Sequence, residues 1–191
     1  DATIRAIKVD DIGTNSNSWF NDIVDYASSI GMPGIGYVTL LEDGTLKGPI
    51  DKFLSEEERT ALITNANMKA NSVIFFIANK KEKNAAKFAG LIRTYLGNKI
   101  GLIDENKFEF CIINDFPMFE YNDEEKKYDF CHNPFSLPKG GYKAIEEGNL
   151  DDILAYQYDF VCNGCEMASG AVRNHSIEIM KKAFLLAGYD E

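Results

Sequence analysis

Tyr158-Asp159-Phe160-Val161-Cys162-Asn163-Gly164-Cys165-Glu166-Met167-Ala168-Ser169-Gly170-Ala171-Val172-Arg173-Asn174-His175 is the most informative segment of the sequence. Asn-Gly between two apolar runs is a strong short-range signal for a hairpin with a two-residue turn. With Asn163 and Gly164 as the turn, Cys162 is expected to face Cys165, Val161 to face Glu166 and Asp159 to face Ala168. Side chains alternate along a strand, so Asp159, Val161, Glu166 and Ala168 should share one face. Asp159 then becomes a diagonal neighbour of Glu166, within reach of a common ligand. The small residues beyond Glu166 lead to Arg173 and leave room for a substrate close to the backbone. Two carboxylates followed by an arginine suit a metal-bridged phosphate beside a carboxylate substrate.

Asp115-Phe116-Pro117-Met118-Phe119-Glu120 and His132-Asn133-Pro134-Phe135-Ser136 precede the hairpin. Further upstream lie Gly34-Ile35-Gly36-Tyr37 and Lys47-Gly48-Pro49-Ile50-Asp51-Lys52-Phe53-Leu54. The hairpin and the two nearer motifs resemble the bacterial type of aspartyl-tRNA synthetase, a class II synthetase. The upstream pair resembles the GAD domain, which is inserted in that enzyme and also occurs in a tRNA-dependent amidotransferase subunit. The resemblance covers essentially the whole chain. It implies an α+β protein: a two-layer α/β GAD insertion domain over residues 1–100, then part of the antiparallel β-sheet catalytic domain over residues 101–191.

The same resemblance implies roles for single residues. Asp159 and Glu166 would hold ATP through magnesium, Glu166 lying nearer the nucleotide. Arg173 would bind the side chain of L-aspartate, and His132 would belong to a loop that closes on it. A guanidinium grips a carboxylate through two parallel hydrogen bonds and keeps its charge at any relevant pH. Without the resemblance, the acids read as solvated edge-strand groups, Arg173 as a surface ion-pair residue and His132 as a ring hydrogen-bonded beside Phe135. Two departures from the family pattern stand out. Asn133 occupies the place of a second histidine, and Ala168-Ser169-Gly170-Ala171 replaces the common run of three glycines and a serine.

Rival chemistry is also legible. Cys162 and Cys165 have a zinc-knuckle spacing, and Cys131, His132 or His175 could complete the ligand set. The turn explains the two cysteines equally well as small apolar flankers, so zinc is the less favoured reading. Lys47-Gly48-Pro49 lacks the pattern of a phosphate loop and reads as a turn. There is no nucleophilic triad, and none is needed, because an amino-acid carboxylate is already ionised at neutral pH.

Local signals supply the remaining elements. Ile4 to Val9 reads as a strand. Apolar positions 19, 20, 23, 24, 27 and 30 make a helix capped by Asn17 or Ser18 and ended by Gly31. Ile35 to Leu41 is a strand, Asp43-Gly44 a second hairpin signal, and Ser55-Glu56-Glu57-Glu58 a capping box. Val73 to Ala78 is uninterruptedly apolar, as for a strand covered on both faces. Lys81 to Leu96 reads as a helix leading out of this first module. Strands at Phe108 to Ile113 and Tyr128 to His132, a helix near Tyr142 and a closing helix from Ser176 to Ala187 follow.

Bulk composition narrows the function class. The chain has 191 residues, 45% hydrophobic and 12% aromatic, enough for one large or two small cores. No window approaches ~18 uninterrupted apolar residues, so no membrane span is expected. Asp1-Ala2-Thr3-Ile4-Arg5 lacks the features of a signal peptide, and the missing initiator methionine suggests a processed chain or one cut from something longer. Four cysteines fit a reducing, cytoplasmic setting. Thirty acidic and twenty basic residues give a net charge of −10, which argues against this piece as the main tRNA platform.

By the resemblance the parent enzyme is a homodimer that activates aspartate with ATP and transfers it to tRNA(Asp), with tRNA(Asn) left open. The arginines of the second and third class II motifs and an anticodon-binding barrel are not found in the sequence. The expectation is therefore an incomplete piece, inactive alone. The alternative is a non-catalytic GAD-type binding module.

Overall fold

The computed structural model describes residues 2–189. The chain divides into two compact units, Asp1–Asp104 and Glu105–Glu191.

The first unit runs β1 (Thr3–Val9), α1 (Asn17–Ser29), β2 (Gly36–Leu40), β3 (Leu46–Lys47), α2 (Glu56–Asn65), β4 (Val73–Asn79) and α3 (Glu82–Lys99). Its sheet has the order β1-β4-β2-β3, with every pairing antiparallel. The apolar run of β4 is explained by its central place. Val73, Phe75 and Ile77 face α1 and α3 in one core cluster with Phe20, Ile23, Ile92 and Leu96. Ile74 points the other way, into a cluster with Val38, Leu40, Leu46 and Met68 against Leu62 and Ile63 of α2. Helices α1 and α3 thus cover one face of the antiparallel sheet, and the shorter α2 covers the other. Helix α3 does not lead out of the unit. Ala85, Ile92 and Leu96 are buried, so it is one of the helices that close the core.

Local chemistry fixes the element ends. Ser16, rather than Asn17 or Ser18, caps α1: its Oγ accepts from the Trp19 N–H at 3.3 Å, and Ser18 already lies in the first turn. Ser55 and Glu58 form the reciprocal capping box at α2. Gly48 is needed for contact rather than flexibility. A Cβ there would collide with the Tyr37 carbonyl and come within 2.9 Å of the Val38 Cα.

Ser72, fully buried, ties the end of β1 to the entry of β4. Its Oγ donates to Asp10 at 2.6 Å and accepts from the Lys69 N–H at 2.9 Å. The Ser72 hydroxyl, followed by Lys8, holds the Asp10 carboxyl below its ordinary value. A lowered folded pKa adds stability above the unfolded value of 3.8, and that stability is lost as pH falls through the folded pKa. Ser72→Ala should therefore cost about 1–3 kcal/mol at neutral pH. Urea unfolding should show the penalty shrinking in acid; a penalty independent of pH would mean that the Asp10 bond is not the relevant contact.

The second unit runs β5 (Phe110–Pro117), β6 (Phe119–Asn122), β7 (Lys127–Phe130), α4 (Gly141–Glu147), β8 (Leu154–Cys162), β9 (Cys165–Ala171) and α5 (Ile177–Leu186). Strands β5, β8 and β9 form an antiparallel sheet in that order, while β6 and β7 make a separate hairpin. The core lies under one end, where Met118, Phe119, Ile145, Ile153, Ala155, Ile179 and Ala183 pack together. The other end is bare. Phe110 and Ile112 are 57% and 65% exposed, and the Phe110 and Phe160 rings stack at 5.3 Å in the open. Strand β5 starts later than expected and runs on to Pro117; its register with β8 shifts between Asn114 and Phe116, where Asp115 has a φ of 62° and faces two residues of β8. Strand β7 stops at Phe130, which leaves His132 in a loop.

Candidate functional site

The hairpin of β8 and β9 closes through Asn163 and Gly164, with φ of 49° and 78°. These positive values are what a two-residue hairpin turn demands and what Asn-Gly supplies at least cost. Asn163 also anchors the turn. Its Oδ1 accepts from the Glu109 N–H at 2.9 Å, and its Nδ2 donates to the Lys107 carbonyl at 2.8 Å.

Cys162 pairs with Cys165, and Val161 with Glu166. The register then slips by one: Phe160 faces Ala168 and Asp159 faces Ser169. The expected pairing of Asp159 with Ala168 is thus corrected by a β-bulge at Met167, an extra residue on β9 that has no partner on β8. Directly opposed residues share a face, so Glu166 lies on the Val161 side. Alternation along β8 carries that side through Asp159 to Gln157. Ala168 is moved to the opposite face and Ser169 takes its place beside Asp159. On that opposite face Tyr158 lies over Gly170, where a Cβ would strike its ring.

Asp159 is half-buried and Glu166 exposed. Among the described residues no ion pair or hydrogen bond engages either carboxylate, and no group of three or more His, Cys, Asp or Glu is arranged to hold a metal. Two carboxylates on one face fit magnesium arriving with phosphate oxygens, since that ion uses one or two protein carboxylates and keeps its other positions for water and phosphate.

The far end of this face is built by a strand exchange. Past Ala171 the segment Ser136–Lys139 enters as β8's neighbour: Pro138 bridges Ala155 on one side and Ser136 bridges Arg173 on the other. The Leu137 N–H donates to the Val172 carbonyl at 2.8 Å, and the Asn174 N–H to the Phe135 carbonyl at 2.9 Å. The Arg173 guanidinium lies over the Phe135 ring, 4.6 Å from its centroid. No carboxylate among the described residues pairs with it. His132 meets Phe116 edge-on at 5.0 Å. Phe116 is opposite Ala155, placing it on the same side of the sheet as Asp159. Asn133, the departure from the family pattern, holds its own loop by accepting the Phe135 N–H at 2.9 Å.

Three polar residues of this end were not singled out from the sequence: Ser136, Gln157 and Asn174. Ser136, Gln157 and Asn174 are buried. Asn174 accepts from the Ser176 N–H at 3.0 Å, while its Nδ2 has no partner among the described residues. One signal was available. Gln157 stands at an inward position of the strand pattern Ala155, Gln157, Asp159, Val161, where an uncharged polar side chain needs internal partners.

The sheet thus carries two open carboxylates on one face and, at its end, a guanidinium stacked on Phe135. The comparisons give the class. The family model for class II tRNA synthetases (D, K and N) matches residues 7–191, and the chain belongs to that family. It is 46% identical over 186 residues to the aspartate–tRNA(Asp/Asn) ligase of Ehrlichia chaffeensis (strain ATCC CRL-10679 / Arkansas), covering 97% of this chain and 31% of that protein. It is 49% identical over 187 residues to the enzyme of the same name from Wolbachia pipientis wMel, again 97% and 31%. With the Anaplasma marginale (strain Florida) enzyme it shares 48% over 188 residues, 98% of this chain and 31% of the relative. The chain thus spans about a third of the length of the curated relatives it matches. Among the described residues no helix is long and apolar enough to cross a membrane.

Proposed function

We propose that this chain is part of an aspartate–tRNA ligase and contributes a wall of its ATP and aspartate site. The observation that carries the reading is the hairpin register, which puts Asp159 and Glu166 on one face; the identity to aspartate–tRNA(Asp/Asn) ligases supports it. In this reading Asp159 and Glu166 receive magnesium-bound ATP, Glu166 lying nearer the nucleotide. Magnesium, when bound, offsets phosphate charge. Arg173 takes the side-chain carboxylate of L-aspartate and His132 helps to close over it. Held in line, the α-carboxylate of aspartate attacks the α-phosphorus of ATP and pyrophosphate leaves. The ribose hydroxyl at the tRNA terminus then displaces AMP from the aspartyl adenylate. The protein's part is mainly alignment and charge complementarity.

The residues 1–100 module is read as a GAD insertion domain and the remainder as catalytic-domain sequence. A non-catalytic GAD module is disfavoured, because the family match and the relatives extend through the hairpin to the end of the chain. The relatives' names support charging of both tRNA(Asp) and tRNA(Asn). A homodimeric, cytoplasmic parent completes the proposal. The test is aspartate-dependent ATP–pyrophosphate exchange by the full-length protein, followed by charging of both tRNA transcripts. Activity is expected from the full-length protein and none from residues 1–191 alone. Exchange driven by another amino acid would overturn the assignment.

A further inference from the structure

Gln157 is the one buried polar side chain on the inner face of β8 that the proposed chemistry leaves unused, and its contacts are specific. Its Nε2 donates to the Asn133 carbonyl at 3.1 Å and to the Ser136 Oγ at 2.8 Å. Gln157 is 7% exposed and Ser136 is fully buried, so neither bond is replaced by bulk water without opening the structure. The two acceptors stand at either end of the turn that carries Pro134 and Phe135, and His132 immediately precedes it. The same turn is closed by the Ser136 N–H donating to the Asn133 carbonyl at 3.2 Å. One amide group therefore spans the loop and fastens it to the strand that carries Asp159, two residues further on.

We infer that Gln157 is a positioning residue for the aspartate subsite, a latch that sets the His132–Ser136 loop and, through Phe135, the guanidinium of Arg173. The inference rests on the site reading proposed above. Its physical basis is the chain of contacts from Gln157 to the loop, from Phe135 to the Arg173 guanidinium and from Ser136 to the Arg173 backbone. Arg173 has a long side chain with several rotamers, and stacking on a fixed ring limits them. A fixed ring in turn needs a fixed loop. The carboxylates at the turn end of the hairpin do not depend on this loop, so the ATP side of the site should not feel the latch.

Gln157→Met keeps the volume and removes both donors. In the full-length enzyme it should raise KM for aspartate roughly tenfold or more, as misplacement of a binding group does, and leave KM for ATP within about twofold. Hydrogen exchange on the 191-residue chain should show faster exchange at Ser136 and Leu137 with the sheet amides of β5 and β8 unchanged. Ser136→Ala, which removes one acceptor with little change in size, should move the same quantities less far and serves should Gln157→Met fail to fold. Arg173→Lys is the control for the site itself. If Arg173→Lys raises KM for aspartate and Gln157→Met does not, the latch is refuted while the site stands. If both substrates' KM values rise together, Gln157 has only a structural role and the inference fails. If Arg173→Lys changes nothing, the site reading fails and takes the latch with it.

Discussion

Arg173→Ala in the full-length protein should lower kcat/KM for aspartate by about thirtyfold to several thousandfold. Cutting one partner from a desolvated, hydrogen-bonded charge pair costs about 2–5 kcal/mol. Here the partner left behind would be the substrate's side-chain carboxylate. The lysine variant should fall between, because an ammonium keeps the charge but cannot reproduce two parallel hydrogen bonds. Stability should hardly change. Arg173 is exposed, and its stacking on Phe135 is the kind of contact worth only about 0.5–1 kcal/mol near the surface. Steady-state kinetics together with a thermal melt separates the two effects. A kinetic loss below about tenfold would remove Arg173 from the substrate-contacting set.

Phe75→Ala carries the largest expected effect on folding. Phe75 is 1% exposed in the centre of β4. Its ring lies 5.9 Å from that of Tyr37 and 6.4 Å from that of Phe20, with Phe20 and Tyr37 themselves stacked at 4.7 Å. Truncation removes the ring and leaves a cavity that a strand flanked on both sides cannot collapse to fill. Such substitutions cost about 3–5 kcal/mol, a large part of the ~5–15 kcal/mol that typically holds a domain together. Denaturant unfolding followed by the Trp19 signal should report it, since Trp19 packs against the same cluster. A shift worth less than about 1 kcal/mol would show that the cluster is not the unit's core.

What the sequence reveals about this fold and what it hides divide along physical lines. Features set by neighbours in the chain were legible: the Asn163-Gly164 turn, the Ser55–Glu58 box, the Gly31 stop with φ of 87°, and the buried run of β4. The family of the chain was also legible from its ordered motifs. Features that depend on distant partners were not. The Met167 bulge is one, because nothing local distinguishes a residue that pairs from one that is skipped. Helix α3 is another: Ile92 and Leu96 count as core only once β1 and β4 are known to lie beneath them. Gln157 belongs with these, its partners standing 24 and 21 residues away along the chain.

The stacked Phe110 and Phe160 rings and their neighbour Ile112 have a consequence for handling the polypeptide by itself. Phe110 and Ile112 lie on β5, an edge strand of the sheet, and an apolar edge is the combination that templates unwanted strand addition and clumping. A net charge of −10 keeps copies apart only over the reach of an unscreened field. Added salt shortens that reach and strengthens the attraction between greasy patches, so dilute buffer of low ionic strength is where this chain stays dispersed.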